Sequence, residues 1–224
     1  MNTNKQRNRA WNVLGTEPTT QSVMLEDEAA QMSAAEIIEI LEYLPNFDGK
    51  IVLDLGAGIG RFTVRFAEKA KLVTAVDFCR GFHERNQENS RPFKNVTCYC
   101  SDVLTWNYPS EKFDLVFSNW LMMYMDNSEV SVFLSKIYLC LKPGGIAFFR
   151  ESCRCPARGE KLSIDDLGSS VKDIISVTKY REPEFYRDSF ADAALAAPIS
   201  EGNIKLYETR FDNKNQFYWL LKKQ

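Results

Sequence analysis

The sequence predicts an α/β domain built on a mostly parallel sheet. Strand and helix signals alternate from residue 34 to 151, and no repeat or low-complexity linker interrupts them. The apolar run Ile51-Val-Leu-Asp-Leu55 leads directly into Gly56-Ala-Gly-Ile-Gly60. Such alternation places crossover helices on both faces of a parallel sheet, and a short continuous apolar run suits a strand buried on both sides. With 224 residues, 45% of them hydrophobic, the chain has ample material for one large core. The expected organisation is an N-terminal lid segment over 1–33 and one domain over 34–224.

Each element carries its own signal. Ile37, Ile38, Leu41 and Leu44 recur at helical spacing, and Pro45 stops that helix. Strands are expected at 51–55, 72–77, 96–100, 113–118 and 146–150. Phe62, Phe66 and Ala70 share one helical face after the glycine turn. Asp126 with Glu129 makes a capping box for a helix reaching about Leu141, and Leu141-Lys-Pro-Gly-Gly145 turns into the fifth strand. Residues 152–182 are polar and irregular, and read as a loop or a short helical lid. A helix is expected over 183–195. Segments 203–211 and 216–222 are aromatic and β-branched and flank Asp212-Asn-Lys-Asn215, which reads as a hairpin.

Composition excludes several classes of function. The formal charge of −2 argues against a nucleic-acid partner, and Lys5, Arg7 and Arg9 read as a solvated, frayed tail. No apolar stretch reaches membrane-spanning length and no signal peptide opens the chain, so no membrane partner is expected. The cysteines are Cys79, Cys98, Cys100, Cys140, Cys153 and Cys155, and the single histidine is His83. Structural zinc prefers C-x-x-C spacing and often histidine, whereas four of these cysteines form C-x-C pairs. Reduced thiols of a cytoplasmic enzyme without a metal are the simplest account.

The glycine turn carries the chemistry. Its third glycine is Gly60, and Arg61 stands where a dinucleotide-binding G-x-G-x-x-G turn needs glycine. With Asp54 two residues ahead of Gly56, the spacing resembles the S-adenosylmethionine (SAM) motif of class I methyltransferases. A glycine-rich turn in another α/β domain is the plainer alternative. The resemblance implies a Rossmann-like, seven-stranded, mostly parallel sheet ending in an antiparallel hairpin. It also implies SAM as methyl donor and S-adenosylhomocysteine as product.

SAM presents an adenine, a ribose diol, a sulfonium and an amino-acid end, each needing its own contact. Asp54, Gly56, Gly58, Gly60 and Arg61 make up the cofactor turn. Asp77 ends the second strand, 21 residues beyond Gly56, where a carboxylate can accept both ribose hydroxyls. Phe78 follows to pack on the adenine. Asp102, past the third strand, can accept from the adenine amine, with the Val103 backbone beside it. Asn119 ends the fourth strand, near the transferring methyl. Taken singly, each acid reads equally well as a loop or cap residue.

More specific segments occur in order: Ser118-Asn-Trp-Leu-Met-Met-Tyr124, Phe148-Phe-Arg-Glu-Ser-Cys153, Tyr180-Arg-Glu-Pro-Glu-Phe-Tyr186 and Lys214-Asn-Gln-Phe-Tyr-Trp219. With Gly56-Ala-Gly-Ile-Gly-Arg-Phe-Thr63, they resemble the phosphoethanolamine N-methyltransferases, specifically their phosphoethanolamine-using N-terminal catalytic half. The resemblance runs from about Trp11 to the C-terminus. It implies SAM-dependent methylation of phosphoethanolamine, the first of three steps to phosphocholine. It also implies a second methyltransferase domain where the chain is longer. Two positions depart from the family pattern: Lys179 stands where a histidine often precedes Tyr-Arg-Glu-Pro. Met123 stands where single-domain relatives place the histidine of a Tyr–His pair.

Methyl transfer is an in-line displacement that requires a neutral amine. Positioning supplies much of the acceleration, with effective molarity worth ~7–11 kcal/mol at best, so a strong base is not mandatory. Asn119 and Tyr124 are therefore expected to hold the amine by accepting its hydrogens, and Tyr124 reads equally well as a core aromatic. Met122, Met123 and Met125 read as packing. Tyr180, Arg181, Tyr186 and Lys214 are the candidates for the phosphate, with surface charge the alternative for the cations. Arg150 and Glu151 leave the fifth strand, either paired with each other or lining the substrate cavity. Trp11 is expected in a lid over cofactor and substrate. The competing readings are another small-molecule N- or O-methyltransferase and a catalytically silent SAM-binding regulatory domain. The segment after the fourth strand lacks the Asn-Pro-Pro-Tyr common where nucleic acid or protein amines are methylated.

Overall fold

The computed structural model describes residues 3–25, 29–154, 169–195, 198–211 and 213–224. Seven strands form one sheet in the order β3-β2-β1-β4-β5-β7-β6. They are β1 (Ile51–Leu55), β2 (Leu72–Asp77), β3 (Val96–Cys100), β4 (Phe113–Asn119), β5 (Leu141–Ser152), β6 (Ser200–Asn203) and β7 (Gln216–Lys222). The first five are mutually parallel, and β7 runs antiparallel to both β5 and β6.

The apolar run of β1 is buried on both faces, as its composition demands. Leu53 and Leu55 join a cluster with Phe133, Leu134 and Ile137 of α6 (Asn127–Cys140). Val52 faces the other layer, with Ile37 and Ile40 of α3 (Ala29–Tyr43) and Phe66 of α4 (Thr63–Ala67). The capping box at α6 forms: Asp126 accepts the Glu129 amide and Glu129 accepts the Asp126 amide, both at 2.8 Å. The remaining helices are α1 (Thr3–Leu14), α2 (Thr20–Met24), α5 (Arg80–Ser90), α7 (Ser169–Val177), α8 (Pro183–Asp192) and α9 (Lys205–Phe211).

The structure corrects several expectations. Residues 205–211 are a helix, and the strand before it is Ser200–Asn203, so the two strands of the terminal antiparallel pair are joined through α9. The Glu39 carboxylate of α3 accepts the Lys205 and Leu206 amides at 2.6 and 2.9 Å, giving α9 an N-terminal cap that sequence neighbours do not supply. Arg7 is no solvated tail residue. It is 7% exposed and ion-paired with Glu129 at 3.1 Å. Within the stretch expected as a loop or a short helical lid, residues 169–177 take the helical alternative as α7, which packs on α1. Residues 155–168 of that stretch lie outside the described residues, as does Cys155. Among the described residues, no helix is long and apolar enough to cross a membrane.

Candidate active site

The site is built at the carboxyl edge of the parallel strands, where β1 ends in the glycine turn. Gly56, Gly58 and Gly60 all take positive φ (67°, 54° and 85°), which other residues adopt only with strain. A Cβ on Gly60 would fall on Asn86 Oδ1. Asn86 belongs to a buried chain: it donates to Thr63 Oγ1 at 3.1 Å, and Thr63 donates to Asp54 Oδ2 at 2.6 Å. The last glycine and Asp54 therefore anchor the turn from opposite ends.

Asp77 closes the turn against β2. Its carboxylate accepts the Gly58 amide and the Cys79 amide, each at 2.8 Å. Burial pushes Asp77 up to about 6, against those two amide bonds. Burial also pushes Asp54 up to about 7, with the nearby Asp77 charge adding to it and the Thr63 bond opposing it. These two carboxyls line an open cleft at the ends of the strands.

The cleft gathers most of the expected residues. Asp54, Gly56, Gly58 and Arg61 line one wall, with Asp77 and Phe78 at the end of β2. Val103, Asn119, Tyr124 and Trp11 line the others. Gly60 shapes the turn from behind. Asp102 lines a smaller adjoining cavity, also bounded by Phe78 and Val103, and accepts the Leu104 amide at 2.9 Å. Trp11 reaches the cleft from α1 and meets Tyr124 edge-on, ring centroids 5.2 Å apart. Sequence reasoning missed Phe82, Val23 and Leu121 on the walls. Phe82, three residues into α5, was signalled by its place one turn beyond Cys79.

Tyr124 lies in a short 3₁₀ turn, Met122–Tyr124, after β4. Burial pushes its phenol well above the usual range, with Tyr180 and Glu151 adding to the rise and Arg150 opposing it. Met123 is buried and does not line the cleft, and all three methionines around Tyr124 pack inward.

The other expected substrate residues stand apart from the cleft walls. Arg181 spends its guanidinium on the Met122 and Met125 carbonyls and on Asn127. Tyr186 is fully buried, 5.2 Å from Trp219 between ring centroids. Lys214 faces Glu208 at 3.6 Å with its side chain 58% exposed.

Arg150 and Glu151 neither pair with each other nor line the cavity. Arg150 meets Glu36 at 3.0 Å and donates to Asn119 Oδ1 at 3.3 Å. Glu36 also pairs with Arg61 and accepts from Tyr207 at 2.8 Å, so one carboxylate serves two guanidiniums. Glu151 binds backbone amides instead. Among the described residues, no group of three or more His, Cys, Asp or Glu is placed to hold a metal ion.

This sheet order is that of the class I methyltransferase fold, and residues 52–145 match a family model described as a methyltransferase domain. The chain's sequence is similar to those of several phosphoethanolamine N-methyltransferases. It is 36% identical over 216 residues to phosphoethanolamine N-methyltransferase 3 of Arabidopsis thaliana, covering 92% of this chain and 42% of that one. To phosphoethanolamine N-methyltransferase 1 of Caenorhabditis elegans it is 32% identical, covering 95% and 46%. The solved Haemonchus contortus phosphoethanolamine N-methyltransferase 1, in complex with phosphoethanolamine and S-adenosylhomocysteine, superposes with a TM-score of 0.87. The two are 30% identical, over 99% of this chain and 50% of that one. The chain thus spans somewhat under half the length of the curated relatives it matches.

Proposed function

We propose that this chain transfers a methyl group from SAM to the nitrogen of phosphoethanolamine, the first step toward phosphocholine. In this reading it corresponds to the phosphoethanolamine-using N-terminal half of its relatives. The observation that carries it is Asp77, tied by Gly58 to a glycine turn and opening on a cleft whose far side holds Asn119 and Tyr124.

The residues present fit the donor. The glycine turn lets the ligand approach the backbone, Asp77 keeps lone pairs beyond its two amide bonds, and Phe78, Phe82 and Trp11 offer aromatic walls. Bound, SAM supplies a sulfonium methyl that is already electrophilic. The chain's own task is to orient the amine and exclude water. Tyr124 stays protonated because burial raises its phenol, so it accepts an amine hydrogen through a lone pair and is not a phenolate base. Asn119 presents its amide with Oδ1 steadied by Arg150.

We place the phosphate toward Tyr180 and Lys214. Tyr180 is close enough to Tyr124 to influence its phenol. The next residue after each borders the end of β5: Cys153 bridges to Arg181, and its amide donates to Asn215 O at 2.7 Å. Incubation with labelled SAM and phosphoethanolamine, its mono- and dimethyl derivatives, and ethanolamine tests the reading. Transfer to phosphoethanolamine supports it, and no transfer to any phosphorylated amine overturns it.

The commitment of Arg181 and Tyr186 to the protein interior favours one other reading, a small-molecule N- or O-methyltransferase whose acceptor lacks a phosphate. Preferential transfer to ethanolamine would select it.

A further inference from the structure

The backbone from Leu121 to Met125 is held by charged side chains from distant elements. Glu151 Oε1 accepts the Leu121 amide at 3.2 Å and the Met122 amide at 2.8 Å, and Oε2 accepts the Met123 amide at 3.0 Å. From the other side, Arg181 Nη1 donates to the Met122 carbonyl at 3.1 Å and Nη2 to the Met125 carbonyl at 2.6 Å. Arg181 is itself fixed by Asn127 Oδ1, which accepts from Nε at 3.1 Å and Nη2 at 3.0 Å. Glu151 is fully buried and Arg181 is 9% exposed. The turn they grip follows Trp120, whose φ of 55° is a left-handed conformation at a bulky residue. It ends on Tyr124 in the cleft wall.

We propose that Glu151 and Arg181 are positioning residues that clamp the 121–125 turn and so set where Tyr124 presents its phenol. Arg181 is not a ligand for the substrate's anionic group. This rests on reading the cleft as the methyl-transfer site. The charges match the turn's own polarity, carboxylate on the amide end and guanidinium on the carbonyl end. A three-residue 3₁₀ turn makes too few internal bonds to hold itself. The carboxylate satisfies three donors with two oxygens, which an amide side chain cannot do without opposing donor to donor. The forked guanidinium spans two carbonyls and Asn127, a geometry lysine cannot reproduce. A misplacement of about 1 Å at a reacting group costs on the order of 100-fold in rate, so a loosened clamp lowers kcat more than it raises KM.

The test uses Arg181→Lys and Glu151→Gln. Three measurements are made: amide hydrogen exchange over residues 120–127, calorimetric affinity for S-adenosylhomocysteine and phosphoethanolamine, and steady-state kinetics. The clamp predicts exchange over 120–127 accelerated at least about tenfold in both variants, and ligand affinities within about threefold of the parent. It also predicts kcat lowered at least about tenfold with KM little changed. Parent-like exchange in Arg181→Lys, with phosphoethanolamine affinity reduced tenfold or more, would overturn it and return Arg181 to the phosphate. If the parent neither binds nor methylates phosphoethanolamine, the substrate reading falls, while the exchange comparison still judges the clamp. Should either variant fail to fold, Asn127→Ala removes two of Arg181's four bonds without touching a charge. It is expected to show the same pattern at smaller amplitude, and unchanged exchange there counts against the clamp.

Discussion

Glu36 of α3 and Arg150 of β5 meet at 3.0 Å, and neither side chain is exposed. The guanidinium carbon of Arg150 lies 3.5 Å from the centroid of the Trp120 ring, so the pair is continuous with the cleft wall. Burial alone would raise the Glu36 carboxyl, but Arg150 and Arg61 outweigh it and hold the group below the usual range. Glu36→Ala leaves the buried Arg150 guanidinium, and that of Arg61 at the cleft wall, without their carboxylate. Breaking such a pair costs about 3–5 kcal/mol, and thermal unfolding should shift down by roughly 6–20 °C for a domain of this size. A shift under about 2 °C would show that the arginines find other partners.

Gly60 and Gly49 separate backbone strain from side-chain conflict. Both have positive φ, 85° and 68°, but a Cβ at Gly49 meets nothing within 4 Å, whereas at Gly60 it meets Asn86. Gly49→Ala should cost about 1–2 kcal/mol from the left-handed conformation. Gly60→Ala should cost at least ~2 kcal/mol more, because Asn86 must abandon Thr63. Denaturant midpoints of the two variants make the comparison, and equal losses would remove Asn86 from the account.

Asp77 is the proposed ribose acceptor, and Asp77→Ala should weaken S-adenosylhomocysteine binding at least about tenfold, which is ~1.4 kcal/mol. The same change frees the Gly58 and Cys79 amides. Asp77→Asn keeps one acceptor oxygen and should fall between. Isothermal titration with unchanged affinity in Asp77→Ala would place the donor elsewhere.

Asp54 and Asp77 imply a stability that falls as pH rises. Burial raises them to about 7 and about 6, so between the ordinary carboxylate range and neutrality the folded state binds more protons than the unfolded state. Their contribution is complete below about pH 4 and is lost as pH climbs through 6 and 7. Urea midpoints at pH 5 and pH 7.5 should therefore fall for the parent and fall less for Asp54→Asn, whose amide oxygen can still accept from Thr63. Equal falls in both proteins would exclude Asp54 as the source.

The parallel core, the glycine turn and the acidic end of β2 were legible in the sequence because the forces behind them act over a few residues. The continuous run of Ile, Val and Leu commits β1 to burial on both faces, and glycines at 56, 58 and 60 supply the positive φ that the turn needs. The cap at Asp126 is local in the same way.

What only the tertiary structure decided was the partner of each buried charge. Nothing near Arg150 in the chain announces Glu36, and nothing near Glu151 announces the amides of Leu121, Met122 and Met123. Nothing near Arg181 in the chain announces the Met122 and Met125 carbonyls that it bonds, and residues 205–211 read as a strand until Glu39 is seen to cap them. Local propensity sets which elements form. A desolvated charge takes whichever opposite group the packing of those elements brings within reach, and that adjacency is a property of the folded topology alone.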